Sequence, residues 1–262
     1  MHLKVIVFQF VLVFSTICGL NAQGLNLRGG HSHNDYSRQR PLFEALENGL
    51  ISIEADIFPV GEQLLVAHNP ENLQEEKTLE AMYLVPLRKL AEEHKISNLI
   101  LLIDIKTDAE RSYQLLKQLF AKYDTLLTLY SEDSIHLRTI SVILSGERPF
   151  SILKEKNRYA ALDGRFDDIS FKYGFTYFPL ISEDWNKLFT WKGQLGISYK
   201  EKIALDELVK KCHSQHKLIR FWGLPTSHNE TVQFWELFKN SKVDLLGVDN
   251  PSAFNTFSNP QK

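Results

Sequence analysis

Residues 50–57, LISIEADI, and residues 99–105, LILLIDI, are apolar runs that each carry acid towards the carboxyl end. Near-continuous apolar runs of this length fit strands covered on both faces, the pattern of a parallel sheet. Residues 139–144 (TISVIL) and 217–221 (KLIRF) read the same way, and 27–31, 158–162, 176–180 and 243–248 are weaker strand candidates. Helical periodicity fills the gaps at 78–93, 109–123, 205–212 and 229–240, and a proline suited to a helix first turn opens 41–47. Eight strands alternating with helices, with no Pro/Gly/Ser-rich linker and no glycine-rich first turn, predict an α/β fold: a single (β/α)8 TIM barrel rather than an open doubly wound sheet. Residues 184–199, rich in Trp and Gly, read as a long loop or insertion.

The amino terminus is organised differently. A short basic start (residues 1–4) precedes an apolar run (5–20) and then Asn21 and Ala22, the order of a secretory signal peptide cut near Ala22. The run is short for a membrane span, and Ile17 is a poor residue to precede a lipidated Cys18. The expectation is a signal peptide at 1–22, one barrel domain at 23–262, a secreted or periplasmic location and no stable membrane span afterwards. Cys212 is then the one remaining cysteine, so an internal disulfide is excluded. The formal net charge of −2 and the absence of any long basic run argue against a nucleic-acid partner.

Barrel enzymes carry their reactive groups at the carboxyl ends of the strands. Here those ends are polar in nearly every case: His31, His33, Asn34 and Asp35; Glu54 and Asp56; Asp104 and Lys106; Ser145, Glu147 and Arg148; Asp163 and Arg165; Arg220 and Trp222; Asp249. Glu54 and Asp56 stand two apart on one strand and so share a face. Two carboxylates in apolar surroundings repel unless a cation or proton joins them. With Asp104 on the neighbouring strand they suit one divalent cation, Mg²⁺ or Ca²⁺; pairing with Arg or Lys inside the barrel is the alternative. Lys106 shares a face with Asp104 and is either a phosphate ligand anchored by carboxylates or a plain ion pair. His33 and His68 are the candidate acid–base pair, because imidazole titrates near neutrality and both lie at the polar mouth. His31 belongs either with them or with the support of the loop.

A family resemblance rests on the order of His33-Asn34-Asp35-Tyr36, PLFEALENG (41–49), SIEAD (52–56), LLVAH (64–68), LLIDIK (101–106), SGERP (145–149), DGR (163–165) and RFW (220–222). This chain resembles the glycerophosphodiester phosphodiesterase-like group. More narrowly, it resembles the altered-inheritance-of-mitochondria branch of the phosphatidylinositol-phospholipase-C-like phosphodiesterases. The resemblance implies a barrel in which two histidines flank a divalent ion whose ligands match Glu54, Asp56 and Asp104. It also implies that His33 protonates the leaving group and His68 acts as base, with the reverse order open. Two departures bear on the substrate. The family's His-Arg-Gly is His33-Asn34-Asp35 here, and the usual third Glu is the shorter Asp104. Asn34, Lys106, Arg148, Arg165, Arg220 and Trp222 are the candidates for binding phosphate and substrate.

The expected activity is hydrolysis of a small phosphodiester or phospholipid-derived substrate. A catalytically silent barrel that binds a phosphorylated ligand and a carbohydrate-active barrel are the rivals. Glu54 and Asp56 are too close on one strand to straddle a sugar bond.

Overall fold

The computed structural model describes residues 24–170, 173–194 and 196–260. Eight parallel strands form the barrel: β1 (Gly29–Ser32), β2 (Ser52–Val60), β3 (Leu99–Ile105), β4 (Ile140–Gly146), β5 (Ala160–Gly164), β6 (Leu180–Asp184), β7 (Leu218–Trp222) and β8 (Leu245–Val248). Each pairs with the next, and β8 returns to β1, with Gly29 opposite Leu245 and Ser32 opposite Val248. The pairing of His31 with Ser52 closes the sheet between β1 and β2. Helices α1 (Phe43–Glu47), α2 (Val85–Glu92), α3 (Ala109–Phe120), α4 (Trp185–Leu188), α5 (Tyr199–His213), α6 (His228–Ser241) and α7 (Pro251–Ser258) follow the strands. The expected signal peptide lies outside the described residues. Among those residues no helix is long and apolar enough to cross a membrane.

The two-residue period of each strand sorts its side chains into two layers. Ile53, Ala55 and Ile57 of β2, with Leu99, Leu101, Ile103 and Ile105 of β3, face the helices and join the main core. A smaller cluster, including Leu25, Ile100, Leu102, Ile143, Leu180, Leu218 and Leu245, plugs the barrel interior. Continuing the period from these inner residues brings Asp104, Ser145, Ser182, Arg220 and then Trp222 onto the inner face towards the carboxyl ends. The LILLIDI run is therefore covered twice, by helices outside and by its own barrel inside.

The structure corrects several local expectations. The sixth strand is Leu180–Asp184 rather than 176–180, because Leu162 binds back to Tyr177 and the chain enters the sheet only afterwards. The predicted helix at 78–93 is a π turn (Glu80–Leu84) leading into α2; Pro86, which has no amide to donate, stands in the first turn of α2. Two elements carried no clear signal: the return strand Gln63–Val66, antiparallel to β2, and α7. Residues 184–199 are not an inserted loop throughout. Trp185 opens α4 and is fully buried, stacked on Phe189 at 4.2 Å and edge-on to Phe221 and Phe234. Its indole N–H donates to the Trp191 carbonyl at 2.7 Å. Replacing Trp185 with Ala removes this contact set, so chemical denaturation should report a loss of about 3–5 kcal/mol.

Candidate active site

Strand β2 sets the inner wall of the mouth, with Ser52, Glu54 and Asp56 on one face, and Asp104 sits opposite Asp56 in register on β3. One carboxylate oxygen each from Glu54, Asp56 and Asp104 lies within 4.8 Å of the others. Glu54 and Asp56 are buried. Three acids this close are tolerable only with compensation, and each has a different one.

Glu54 Oε2 accepts from Arg220 Nη2 at 2.9 Å and from His31 Nε2 at 2.7 Å. Burial alone would raise this carboxyl; the Arg220 guanidinium and the His31 hydrogen bond outweigh it and hold it well below the usual carboxylate range. His31 itself is fully buried, and desolvation together with Arg220 lowers its ring to about 4. A neutral His31 that donates from Nε2 must accept at Nδ1, and the Ser52 hydroxyl supplies that donor at 2.8 Å. His31 is thus a support for Glu54. The alternative of an internal Arg–carboxylate pair is realised at Glu54, beside the acidic trio rather than instead of it.

Asp56 is more demanding. Its Oδ2 lies 2.6 Å from the Tyr36 hydroxyl, 2.7 Å from Lys106 Nζ and 3.1 Å from His68 Nδ1. Its Oδ1 is buried and has no hydrogen-bond partner among the described residues. An ionised carboxylate oxygen left alone in the interior is costly. Asp104 is pushed up to about 6, first by burial and then, against the pull of Lys106, by the charges of Asp56 and Glu54. Lys106 Nζ reaches Asp104 Oδ1 at 3.5 Å, and despite its burial the carboxylates keep it charged. An unfilled buried oxygen beside two further carboxylates is the donor set of a hard divalent cation, so Glu54, Asp56 and Asp104 fit such an ion.

The two predicted histidines flank this cluster. His68 arrives through the return strand, whose Val66 pairs with Ile57, and its Nδ1 also lies 3.2 Å from the Tyr36 hydroxyl. Tyr36 has one proton to give. The shortest contact, to Asp56, takes it, and burial with the Asp56 charge drives the phenol far above its ordinary value. Asn34, in the left-handed region at φ 48°, holds its side-chain oxygen 2.8 Å from the same hydroxyl.

On the other flank His33 Nδ1 lies 2.8 Å from Asp249 Oδ1. Burial lowers this imidazole, but the Asp249 hydrogen bond and the nearby Glu54 charge more than offset it, so its pKa is raised. Asp249 is lowered in turn by that bond. Arg38 fastens both ends of the pair: Nη1 donates to the Asp249 carbonyl at 2.9 Å, and Nη2 to those of Val248 and His33 at 3.1 and 3.4 Å. Arg38 is itself seated on buried Asp35, which accepts from Ser32, Tyr83 and the Leu42 amide.

Among the other candidates, Arg220 joins the cluster and Trp222 stands half-exposed at its rim with Lys187 Nζ 5.9 Å from its ring centroid. Arg148 and Arg165 belong to a separate network: Arg148 binds Asp168 at 2.6 Å and the Asp163 carbonyl at 3.0 Å, and Arg165 binds Asp163 at 2.9 Å. Sequence reasoning did not assign Tyr36, Arg38 and Asp249 to the site. Tyr36 and Asp249 had signals, one inside the His-Asn-Asp-Tyr run and one at a strand end. Arg38 had none, because two of the three backbone carbonyls it binds lie 210 and 211 residues away.

The comparisons with known proteins agree with this architecture. The family model for the AIM6-like phosphodiesterase domain matches residues 23–98. Altered inheritance of mitochondria protein 6 of Saccharomyces cerevisiae is 32% identical over 91% of this chain and 72% of its own length. A homolog from Arthroderma benhamiae is 30% identical over 85% of this chain and 81% of its own. A calcium-dependent phosphoinositol-specific phospholipase C from a Pseudomonas species superposes with a TM-score of 0.59 at 13% identity, covering 89% of this chain and 92% of that one. A glycerophosphodiester phosphodiesterase from Agrobacterium tumefaciens gives 0.50 at 13% identity, over 88% and 99%. The fold is that of the phospholipase-C-like phosphodiesterase barrels.

One glycine sits against the cluster. Gly146, at φ +69°, leaves no room for a side chain: a Cβ there would lie 2.2 Å from Asp104 Oδ1 and 2.4 Å from the Ile105 carbonyl. Gly146→Ala must displace the Asp104 carboxylate and strain a left-handed backbone, at about 1–3 kcal/mol. Calorimetric titration with Ca²⁺ and with Mg²⁺ should show weaker binding than in the unaltered protein, together with a lower melting temperature.

Proposed function

Since this chain belongs to the altered inheritance of mitochondria protein 6 family, whose domain is of phosphodiesterase type, we propose that it is a metal-dependent phosphoric diester hydrolase. The observation that carries this reading is the unpartnered buried Oδ1 of Asp56 within the trio Glu54, Asp56 and Asp104, flanked by His33 and His68. Glu54, Asp56 and Asp104 would hold a Mg²⁺ or Ca²⁺ ion, which when bound would supply charge neutralisation at a phosphate oxygen.

The protein's own groups supply the rest. His68 takes the proton of the attacking hydroxyl as its oxygen bonds to phosphorus. His33, whose Nδ1 is committed to Asp249, gives its Nε2 proton to the alkoxide as the other P–O bond breaks. A diester and water thus become a monoester and an alcohol; where the substrate itself offers the hydroxyl, the first product is a cyclic phosphate. Lys106 meets a non-bridging oxygen, with Asn34 and Trp222 beside the path. Arg148 and Arg165 contribute through the wall around Asp163 and Asp168. Export is part of the proposal: the leader-like residues 1–22 are removed near Ala22 and the enzyme acts outside the cytoplasm, which amino-terminal sequencing of the exported chain tests.

A silent, phosphate-binding barrel is the second reading, favoured by the Lys106 ammonium already resting on Asp56 and Asp104. A glycosidase is disfavoured by geometry: one oxygen each of Glu54, Asp56 and Asp104 lies within 4.8 Å of the others, tighter than the about 5–5.5 Å or about 6.5–9.5 Å kept by carboxyl pairs that straddle a sugar bond.

With bis-p-nitrophenyl phosphate as substrate, the purified protein should turn over in Ca²⁺ or Mg²⁺ and stop on chelation. His68→Ala should lower kcat by about a hundredfold or more, and His33→Ala should do so with a diester whose leaving alcohol is poorly acidic; full turnover of such a diester in both variants would exclude the mechanism. The Asp249 partner raises His33, and a general acid works only while protonated, so activity falls as pH rises through its pKa. Asp249→Asn should therefore move the alkaline limb of the kcat profile to lower pH, read with a diester whose leaving alcohol is poorly acidic.

A further inference from the structure

A cleft of about 130 Å³ opens beside His33, between the chain that follows β7 and the inner face of β8. Its walls include Trp222, Leu224, Pro225, Thr231 and Gly247. Several of the polar groups that border it are already engaged. The Thr231 hydroxyl donates to the Pro225 carbonyl at 3.1 Å, Asp249 accepts from His33, and Arg220 donates to Glu54. What faces the space is mostly carbon: an indole ring, a leucine and a proline.

The space exists because of Gly247. Two residues from the inward Leu245, it occupies an inner-face position without a side chain, opposite His31 in the register with β1. A Cβ built there would touch only Leu224 Cδ1, at 3.8 Å. Its carbonyl is fixed by the Trp235 indole N–H at 2.9 Å, so the backbone stays in place. For scale, an apolar cavity of about 150 Å³ holds one benzene ring.

The geometry points to this cleft as the leaving-group subsite, built for an alcohol that carries an apolar ring or short alkyl chain next to the scissile oxygen. This rests on the reading of His33 as the residue that protonates the departing alkoxide. An apolar group seated on Trp222, Leu224 and Pro225 brings its oxygen to His33 while water is driven off the same surface. A polyol such as glycerol would set its hydroxyls against a mostly carbon surface and gain fewer hydrogen bonds there than in water. Specificity then lies in the alcohol released rather than in the phosphate.

Methyl benzyl phosphate tests this in one molecule, because its two alcohols are of similar acidity. Attack by water can break either P–O bond, giving benzyl alcohol with methyl phosphate or methanol with benzyl phosphate. The unaltered protein in Ca²⁺ should release benzyl alcohol over methanol by about tenfold or more, the discrimination an apolar pocket supplies. Gly247→Val, which fills the cleft without a backbone clash, and Trp222→Ala, which removes a wall, should each carry that ratio towards one. A ratio near one in the unaltered protein, or an excess of methanol, overturns the assignment while leaving the diesterase reading intact.

If neither bond is cleaved under any divalent ion, the diesterase reading fails instead, and a binding measurement decides the cleft. The Trp222 indole resonance, assigned with Trp222→Phe, should shift on titration with benzyl alcohol and stay put with glycerol. Equal shifts, or none, overturn the proposal.

Discussion

Mutual repulsion among three carboxylates held by strand pairing is the constraint around which this mouth is built. Backbone register puts Asp56 opposite Asp104, and the strand period puts Glu54 on the same face, so their backbones cannot part without breaking the sheet. Each neighbouring polar residue answers part of that charge. Arg220 and neutral His31 hold Glu54, while Lys106 and Tyr36 hold one oxygen of Asp56. The second Asp56 oxygen is left over, and there a divalent cation has something to gain that a resident side chain does not supply.

This division of labour separates what looks alike in sequence. His31 and His33 are two residues apart, yet full burial beside Arg220 makes the first a neutral strut. The second, half-exposed and bonded to Asp249, is raised instead. Lys106 and Arg220 are both cations beside acids, but Arg220 is buried and locked whereas Lys106 keeps about a quarter of its side chain open. Only the open one is accessible to a group arriving from solvent.

Much of this was legible before any coordinates. The apolar runs give the strands because a parallel barrel covers both faces, and Glu54, Asp56 and Asp104 stand out because acids interrupt runs that otherwise demand hydrocarbon. The sixth strand was missed by four residues because aromatic Tyr177 and Phe178 mimic strand composition while packing in the core outside the sheet. The return strand Gln63–Val66 is too short to announce itself, although it alone carries His68 to Asp56. Partnerships were the least legible. Asp249 with His33, and Arg38 with the carbonyls of β8, join opposite ends of the sequence, and no local pattern encodes that meeting.

That meeting has a consequence for biosynthesis. The imidazole of the first strand receives its carboxylate, and its arginine latch receives two of its acceptor carbonyls, from the end of β8, 210 or more residues downstream. A nascent chain carrying all three acids and both histidines still lacks the seam that orients one of them. The seam that orients His33 therefore forms only when β8 docks on β1 and the cylinder shuts, whatever has already folded.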